Sequence, residues 1–237
     1  MRIPCIAASL AILLMPGCRK HAGKPELVLL NLKYPSEVFS EDVRLMDVPN
    51  LVPRRTSPHS FLVPTGTTLL SKGKPVTSSD ANPVIGELSL ITDGEKGDSS
   101  EGYYVELWEG QQWVQIDLQE RAAIHAICLW HYYMSNCRIY RDVIIRISDD
   151  PDFRTGVTTV YNNDYDGSAK MGTGTDNPYV ESRFGLLVDG KGTKARYMRL
   201  YSAGNNATNY NHYLEVEVYG IACLRNAARR CSSGGCE

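Results

Sequence analysis

The loop at residues 131–141 concentrates side chains that are suited to contacting a ligand. Its polar and aromatic members are His131, Tyr132, Tyr133, Arg138, Tyr140 and Arg141. Imidazole and guanidinium groups donate hydrogen bonds, and tyrosine rings combine an apolar face with a polar edge. We predict that this loop faces a ligand. In the alternative interpretation, the tyrosines pack between strands with only their hydroxyl groups in solvent, and Arg141 pairs with Asp142 or Glu217.

Three apolar runs next to this loop predict the strands that position it. Residues 114–118 and 143–148 alternate apolar and polar side chains, as in a strand with one buried face. Residues 126–130 are apolar throughout, which predicts a central strand covered on both faces. Strands are also predicted at 157–161, 184–188, 195–201 and 213–220. In the last strand, we expect Leu214, Val216 and Val218 to face inward and Glu215, Glu217 and Tyr219 to face outward.

The pattern of apolar and polar residues changes near residue 69. From there, short apolar runs are broken by Gly, Pro, Asn and Asp, without a useful helical period, so we predict an all-β sandwich over residues 68–221. Residues 19–67 contain six prolines, which limit backbone hydrogen bonding and predict an extended stem with one strand-like run at 26–34. The 237 residues, of which 43% are hydrophobic, suffice for one such core plus an appendage.

Residues 1–18 have the features of an export signal. Arg2 supplies a positive start, residues 6–15 are apolar, and the stretch ends at Cys18. The apolar run is too short for a membrane-spanning helix. Its end resembles the lipobox of bacterial lipoproteins, which implies lipidation of Cys18 and a membrane-anchored position in the bacterial cell envelope. Plain secretion is the alternative.

Charge and cysteine content restrict the partners further. The formal net charge of −2 argues against a nucleic-acid partner, which would require a concentrated basic face. Five cysteines follow the signal, namely Cys128, Cys137, Cys223, Cys231 and Cys236. The odd number leaves at least one thiol unpaired or paired between chains. Cys128 lies in an apolar run and is expected to be an inert buried thiol, whereas residues 222–237 form a Cys, Arg, Ser and Gly tail.

Five ordered landmarks resemble those of the discoidin domain. They are LITDG at 90–94, WVQIDL at 113–118, DVIIRISDD at 142–150 followed by Phe153, ARYMRL at 195–200 and EVEVYG at 215–220. This coagulation-factor type C, galactose-binding-like domain is a jelly-roll β-sandwich that includes family 32 carbohydrate-binding modules and fucose-binding lectins. The resemblance covers roughly residues 69–221. It implies a jelly-roll fold and a carbohydrate partner bound by loops at one end of the sandwich.

The resemblance also implies particular ligand-binding residues. His131, Arg138 and Arg141 stand where fucose-binding relatives use a histidine and arginines. Aromatic faces would cover the apolar side of a pyranose while these donors bind its hydroxyl groups. The expected ligand-binding residues are Trp108, His131, Tyr132, Tyr133, Arg138, Arg141, Asn206, Tyr210 and His212.

We therefore expect a non-catalytic carbohydrate-binding module displayed on the cell envelope. The sequence contains no GxSxG elbow, no HExxH motif and no paired-carboxylate motif, so we do not expect an enzyme. The alternative is a structural or protein-interaction module of the envelope, which would bind an envelope protein and no sugar.

Many discoidin-type domains hold a structural calcium ion, and the resemblance implies a set of ligands for it. The matching positions are Asp93, Asp98 and Glu215. Backbone carbonyl groups near Leu90 and Lys96 would complete the six to eight oxygen ligands that calcium requires. The alternative is an acidic, solvated turn without an ion.

Overall fold

The regular structure in the described part of the chain is almost entirely β-strand. The computed structural model describes residues 25–36, 47–96, 103–133 and 138–223. The elements in these ranges are β1 (Leu27–Leu29), β2 (Leu62–Pro64), β3 (Thr68–Leu69), β4 (Val76–Ser78), a 3-10 helix (Leu88–Thr92), β5 (Val105–Leu107), β6 (Gln112–Trp130), β7 (Ile144–Ser148), β8 (Thr158–Asn162), β9 (Leu186–Ser202), β10 (Asn211–Tyr213) and β11 (Glu215–Ala222). The all-β prediction is confirmed. In the described part of the chain, no helix is long and apolar enough to cross a membrane.

Several predicted features lie outside the described residues. These are the signal at 1–18 with Cys18, the calcium position Asp98, Cys137, and Cys231 and Cys236 of the tail. Two cysteines are described as free thiols, Cys128 and Cys223. Cys128 is buried as expected, and its burial raises the pKa of the thiol.

The main sheet is antiparallel and has the strand order β3-β11-β6-β9-β7-β8, with β4 paired to β6 as well. β6 joins the predicted runs 114–118 and 126–130 into one strand, and β9 covers most of the runs 184–188 and 195–201. The register between β6 and β9 shifts between Asp117 and Ala122 and again after Ile124. Gln119 and Lys191 have positive φ angles of 65° and 53° in these regions. The two long strands therefore bend and contribute to both layers of the sandwich.

One apolar core lies between the two parts of the bent sheet. The first part of β6 pairs with β4 and the end of β9, and its later part pairs with β11 and the start of β9. Inward side chains from both parts, including Ile116, Ile127 and Leu200, are fully buried in this core. Burying each such side chain stabilises the fold by about 2 kcal/mol. This arrangement is the predicted β-sandwich.

A second apolar cluster covers the outer face of β6 and β11. Leu30, Leu32 and Val63 pack there against residues that include Trp130 and Tyr219. Residues 126–130 are consequently at most 1% exposed, which confirms the prediction of a central strand with two covered faces. In addition, β1 and β2 form a two-stranded antiparallel ribbon. Part of the predicted stem, at Leu30, Leu32 and Val63, therefore packs against the sheet.

The second apolar cluster also corrects one prediction about β11. Its pattern predicts that Glu215, Glu217 and Tyr219 face solvent, but they are only 0%, 4% and 9% exposed. The N-terminal segment shields this face, and Glu217 pairs there with the buried Lys96. Alternation along a strand separates its two faces but does not show what covers each of them.

Candidate ligand-binding site

The connections that carry most of the predicted ligand-binding residues meet at one end of the sandwich. The start of β7 pairs with the end of β9, where Ile144 is opposite Tyr201. The start of β6 pairs with the same end of β9, where Gln112 is opposite Ser202. The segments 108–111, 138–143, 163–168 and 203–210 therefore lie at this end. We call these four segments the loop end.

Two predicted ligand-binding residues, His131 and Tyr133, lie inside the protein. His131 is 0% exposed, and its Nδ1 lies 2.8 Å from Glu181 Oε1. The Tyr179 hydroxyl donates to the same carboxylate oxygen over 2.7 Å, and the His131 ring stacks on Tyr140 with centroids 4.1 Å apart. Tyr133 is 1% exposed and packs in the second apolar cluster. The prediction that these two side chains contact a ligand is therefore wrong, because neither reaches the surface.

His212 is also buried, with 3% of its surface exposed. Its Nε2 lies 2.8 Å from Glu106 Oε2, and its Nδ1 lies 3.1 Å from the Tyr140 hydroxyl. Burial, followed by the positive charge of Arg138, lowers the pKa of His212 to about 3. A neutral imidazole at neutral pH can donate one hydrogen bond to the carboxylate. His212 thus supports the loop end from beneath, which corrects its predicted ligand contact.

Arg138 and Tyr132 occupy an intermediate position. Arg138 is 8% exposed, and its Nη1 donates to Asn205 Oδ1 over 3.0 Å. Its guanidinium lies 5.0 Å from the centroid of the Tyr132 ring. Tyr132 is half-buried and also contacts the Tyr104 ring at 4.7 Å. Both side chains mainly stabilise the loops, and Tyr132 keeps part of its surface in solvent.

Trp108 and Tyr210 form the exposed aromatic part of the loop end. Trp108 is 57% exposed, and Tyr210 lies edge-on to it with ring centroids 5.6 Å apart. The backbone N–H and the backbone carbonyl of Trp108 are both hydrogen-bonded. Its N–H donates to Asp80 Oδ2 over 2.8 Å, and its carbonyl accepts from Asn211 Nδ2 over 2.9 Å. This support presents a large apolar ring to solvent in a defined orientation.

Arg141 connects this aromatic pair to a neighbouring depression. It is exposed, its Nε donates to the Ala203 carbonyl and its Nη2 donates to Asn209 Oδ1, each over 3.1 Å. Asn206 accepts from the Ile139 backbone N–H over 2.9 Å, so its predicted role is structural in this arrangement. The structure therefore brings Trp108, Tyr210 and Arg141 together through the 203–210 segment.

The depression beside Arg141 contains residues that the sequence did not single out. It is open to solvent, and its volume is about 60 Å³. Its polar lining comprises Arg141, Asp142, Asn163, Tyr165, Asp166 and Ser168. Tyr165 is 48% exposed. The only sequence signal was the Gly, Asn and Asp-rich composition of residues 162–177, since nothing local indicates that this segment meets Asp142.

Two of the three predicted calcium ligands can be compared with the structure. Glu215 is fully buried, and its Oε2 accepts from the Gly94 N–H over 3.2 Å. Its Oε1 has no hydrogen-bond partner among the described residues. Burial raises the pKa of Glu215 to about 9. Asp93 lies in the adjoining turn, where it accepts from the Glu95 N–H. A buried carboxylate with an unpartnered oxygen beside a second acidic residue fits a cation ligand set.

No protein-family profile matches the chain, and no curated protein matches it. Solved structures do resemble it. Chitosan-binding module 1 of a chitosanase/glucanase from Paenibacillus sp. IK-5 is 23% identical, with a TM-score of 0.45, over 65% of this chain and 99% of that chain. The module CpGH89CBM32-5 from Clostridium perfringens, in complex with GalNAc-β-1,3-galactose, is 13% identical, with a TM-score of 0.47, over 64% of this chain and 99% of that chain.

A much longer protein also resembles part of this structure. A family 89 glycoside hydrolase from Clostridium perfringens is 17% identical, with a TM-score of 0.47, over 65% of this chain but 15% of that chain. The structural neighbours thus include a CBM32 module, the class of domain that the sequence resembles.

Proposed function

We propose that this chain is a non-catalytic carbohydrate-binding module that binds a saccharide at its loop end. The observation that supports this proposal best is the exposed Trp108 ring, held edge-on to Tyr210. The 203–210 segment continues from this aromatic pair to Arg141 and the solvent-open depression. A flat apolar ring beside fixed polar groups is suited to a pyranose, which has an apolar face and a rim of hydroxyl groups.

The polar groups of the loop end suit hydroxyl recognition in both directions. Arg141 supplies guanidinium donors, and Asp142 and Asp166 supply carboxylate acceptors in the same depression. A monosaccharide has roughly twelve heavy atoms. At about 0.3 to 0.5 kcal/mol per atom, the binding free energy is about −4 to −6 kcal/mol. The expected dissociation constant for one sugar unit is therefore on the order of millimolar to tens of micromolar.

Substitution of Trp108 tests this function directly. We expect Trp108→Ala to weaken saccharide binding by about tenfold or more, because the stacking face is lost, while the exposed side chain contributes little to folding. Tyr103→Ala is the matched control, since Tyr103 is another aromatic residue with similar exposure, 51%. Isothermal titration with saccharides chosen from a glycan array is the measurement. An empty array, or equal affinities of wild type and Trp108→Ala for every saccharide that binds, would reject the proposal.

The proposal includes a structural calcium ion bound by Glu215 and Asp93. The support is the buried, unpartnered Oε1 of Glu215 and its elevated pKa, because a bound cation would favour the charged carboxylate. The ion would supply the charge that holds this turn against the start of β11. Asp98 remains a predicted third ligand.

The proposal also includes display on the bacterial cell envelope through a lipid on Cys18. The support is the sequence of the first eighteen residues, with its positive start, short apolar run and terminal cysteine. Two or three acyl chains would give stable anchoring, which a single chain does not.

A protein-interaction module of the envelope is the second candidate function. It is favoured by the apolar surface of the β1–β2 ribbon, where Leu27, Leu29 and Leu62 are 54%, 61% and 56% exposed. Retention on isolated envelopes distinguishes the two functions. The assay uses protein without its lipid anchor. Saturating free saccharide should release this protein from the envelopes only if it is retained by binding sugar. If Leu29→Ser abolishes retention and free saccharide has no effect, the second candidate is favoured.

A further inference from the structure

The β1–β2 ribbon presents an apolar face to solvent. In its antiparallel register, Leu29 is opposite Leu62 and Val28 is opposite Val63. Successive side chains of a strand point to opposite faces, so Leu27, Leu29 and Leu62 share the face that is turned away from Val63. Val63 is 2% exposed and packs in the second apolar cluster, whereas each of the three leucines is more than half exposed. We call the surface formed by these three leucines the ribbon face.

The ribbon face is small for a protein partner. Three partly exposed leucine side chains offer on the order of 300 Å² of apolar surface. A stable protein–protein interface buries about 800 Å² on each partner. Strand β1 is three residues long, so pairing along its other edge would add few hydrogen bonds. A second copy of the chain or another protein would therefore need further surface to bind stably. A membrane to which the chain is already attached has no such requirement.

The ribbon follows the proposed anchor closely in the sequence. Cys18 precedes Leu27 by nine residues. An extended chain covers at most about 3.6 Å per residue, so an anchored chain keeps the ribbon within about 30 Å of the membrane surface. This tether gives the ribbon face a high effective concentration at the lipid. A weak apolar contact then suffices, because the anchor has already restricted the translational freedom of the chain.

The sequence around the ribbon is basic. Residues 19–33 contain four Lys or Arg residues and one acidic residue, namely Arg19, Lys20, Lys24, Lys33 and Glu26. Anionic headgroups attract such a segment, and each Lys or Arg near the surface raises its partitioning by roughly fivefold. Basic residues beside an exposed apolar face are typical of segments that lie in the interface of an anionic bilayer. Charge therefore favours a lipid surface as the occupant of the ribbon face.

We propose that the ribbon face inserts into the interfacial region of a bilayer that contains anionic lipids. The leucines contact the upper part of the acyl chains, and the neighbouring basic residues contact the headgroups. This inference rests on the proposed lipid anchor and goes beyond the proposed saccharide binding. The ribbon lies outside residues 69–221, the part of the chain that resembles a discoidin domain. A second contact with the membrane restricts the rotation that a single tether allows, and so orients the domain.

The test places a fluorescent reporter on the ribbon face. The full chain is reconstituted through its anchor into vesicles of phosphatidylethanolamine and phosphatidylglycerol whose acyl chains carry bromine, which quenches fluorescence on contact. We expect the added tryptophan of Leu29→Trp to emit at a shorter wavelength than in water and to be quenched. Val84→Trp is the matched control, because Val84 is also exposed, at 44%, but lies outside the ribbon. Its added tryptophan should keep the emission of a ring in water. Both positions are exposed, so both variants should fold.

The contribution of charge is measured with the same reporter. In vesicles of phosphatidylcholine alone, quenching of Leu29→Trp should weaken, because the attraction of the basic residues to the headgroups is lost. In the anionic vesicles, Lys20→Gln and Lys24→Gln should each lower the ratio of inserted to free ribbon by about fivefold.

Four outcomes would overturn the inference. Equal emission and quenching in Leu29→Trp and Val84→Trp would do so and leave the saccharide-binding proposal intact, which titration on the same vesicles measures. Loss of the chain from the vesicles would reject the anchor and the inference together. Dimerisation of Cys18→Ser in solution that Leu29→Ser abolishes would assign the face to a second copy. Crosslinking of residue 29 to a protein of isolated envelopes, without quenching in vesicles, would assign it to a protein partner.

Discussion

The two histidines near the loop end, His131 and His212, are held by carboxylates beneath the surface. Each lies 2.8 Å from a glutamate oxygen, in Glu181 and Glu106 respectively. Tyr140 contacts both imidazoles, by stacking on one and by hydrogen bonding to the other. The network gives a partner to both ring nitrogens of His212 and to His131 Nδ1, whereas His131 Nε2 and Glu181 Oε2 have no hydrogen-bond partner among the described residues. The aromatic and basic residues that suggest a binding loop therefore mainly stabilise that loop.

His212 should make the domain sensitive to acid. The unfolded chain binds a proton at this residue below its usual pKa of 6.5, whereas the folded chain does so only near 3. The unfolded state thus binds more protons between these values, and stability falls as pH falls from about 6.5 to 3, by up to about 1.4 kcal/mol per pH unit. The raised pKa of Glu106 opposes part of this effect.

The measurement is urea unfolding over a pH series, combined with NMR titration of the histidine ring protons. His212→Gln should show a shallower loss of stability in the same pH window. A titration midpoint of His212 near 6.5 would contradict the prediction.

Calcium should stabilise the folded chain through Glu215. At a concentration about a hundredfold above the dissociation constant, the expected gain is about 2 to 3 kcal/mol, visible as a higher melting temperature that EDTA reverses. Glu215→Gln should be at least as stable as the wild type without calcium, because a buried carboxyl with one unpartnered oxygen is replaced by a neutral amide, and it should not respond to the ion. Glu120→Gln, at an exposed residue, should respond normally. A melting temperature that EDTA and calcium leave unchanged would exclude this site.

At the scale of elements, the two long strands organise the whole domain. β6 and β9 pair along most of their lengths, and each runs through both layers of the sandwich. Their bends coincide with register shifts and with positive φ angles at Gln119 and Lys191. Because the strands are continuous, the loop end and the covered face of β11 are parts of one framework.

The N-terminal segment should contribute measurably to the stability of this framework. Leu32 is 9% exposed in the second apolar cluster, whereas Leu29, three residues earlier, is 61% exposed. We expect Leu32→Ala to lower the free energy of unfolding by about 2 kcal/mol. Leu29→Ala, the matched control, should change it by less than about 0.5 kcal/mol. Chemical unfolding measures both. Equal effects of the two substitutions would indicate that this segment does not pack on the sheet.

At the scale of the whole molecule, the proposed weak binding and the proposed surface display would complement each other. One sugar unit is expected to bind with an affinity on the order of millimolar to tens of micromolar. Many copies anchored on one membrane would engage a repeating polysaccharide together and raise the effective affinity by about a hundredfold or more. The proposed lipid anchor would therefore contribute to binding as well as to localisation.

Lipidation at Cys18 is open to a direct test. Cells grown with labelled palmitate should incorporate the label into the wild-type protein but not into Cys18→Ser, because acylation needs this thiol. Cys5→Ser removes the other cysteine of the signal and should leave labelling unchanged. Persistent labelling of Cys18→Ser would argue against the anchor.

The sequence alone determined the class of fold and the positions of most strands. A period of two in apolar residues is a local property, so the runs at 114–118, 126–130 and 143–148 identify strands without knowledge of their partners. The continuous apolar run also predicts a central strand, and β6 occupies that position. The chemical type of Trp108 alone predicts a ligand contact, and its side chain is exposed.

Only the tertiary structure decided which polar side chains face solvent and which meet one another. His131 is buried beside Glu181, which lies fifty residues later in the chain. Glu215 is buried where the start of β11 meets the turn at Gly94, which lies 121 residues earlier in the chain. Asp142 and Asp166 meet because two separate loops converge. Burial and proximity depend on chain segments that are far apart in sequence, whereas a sequence pattern records only its immediate neighbours.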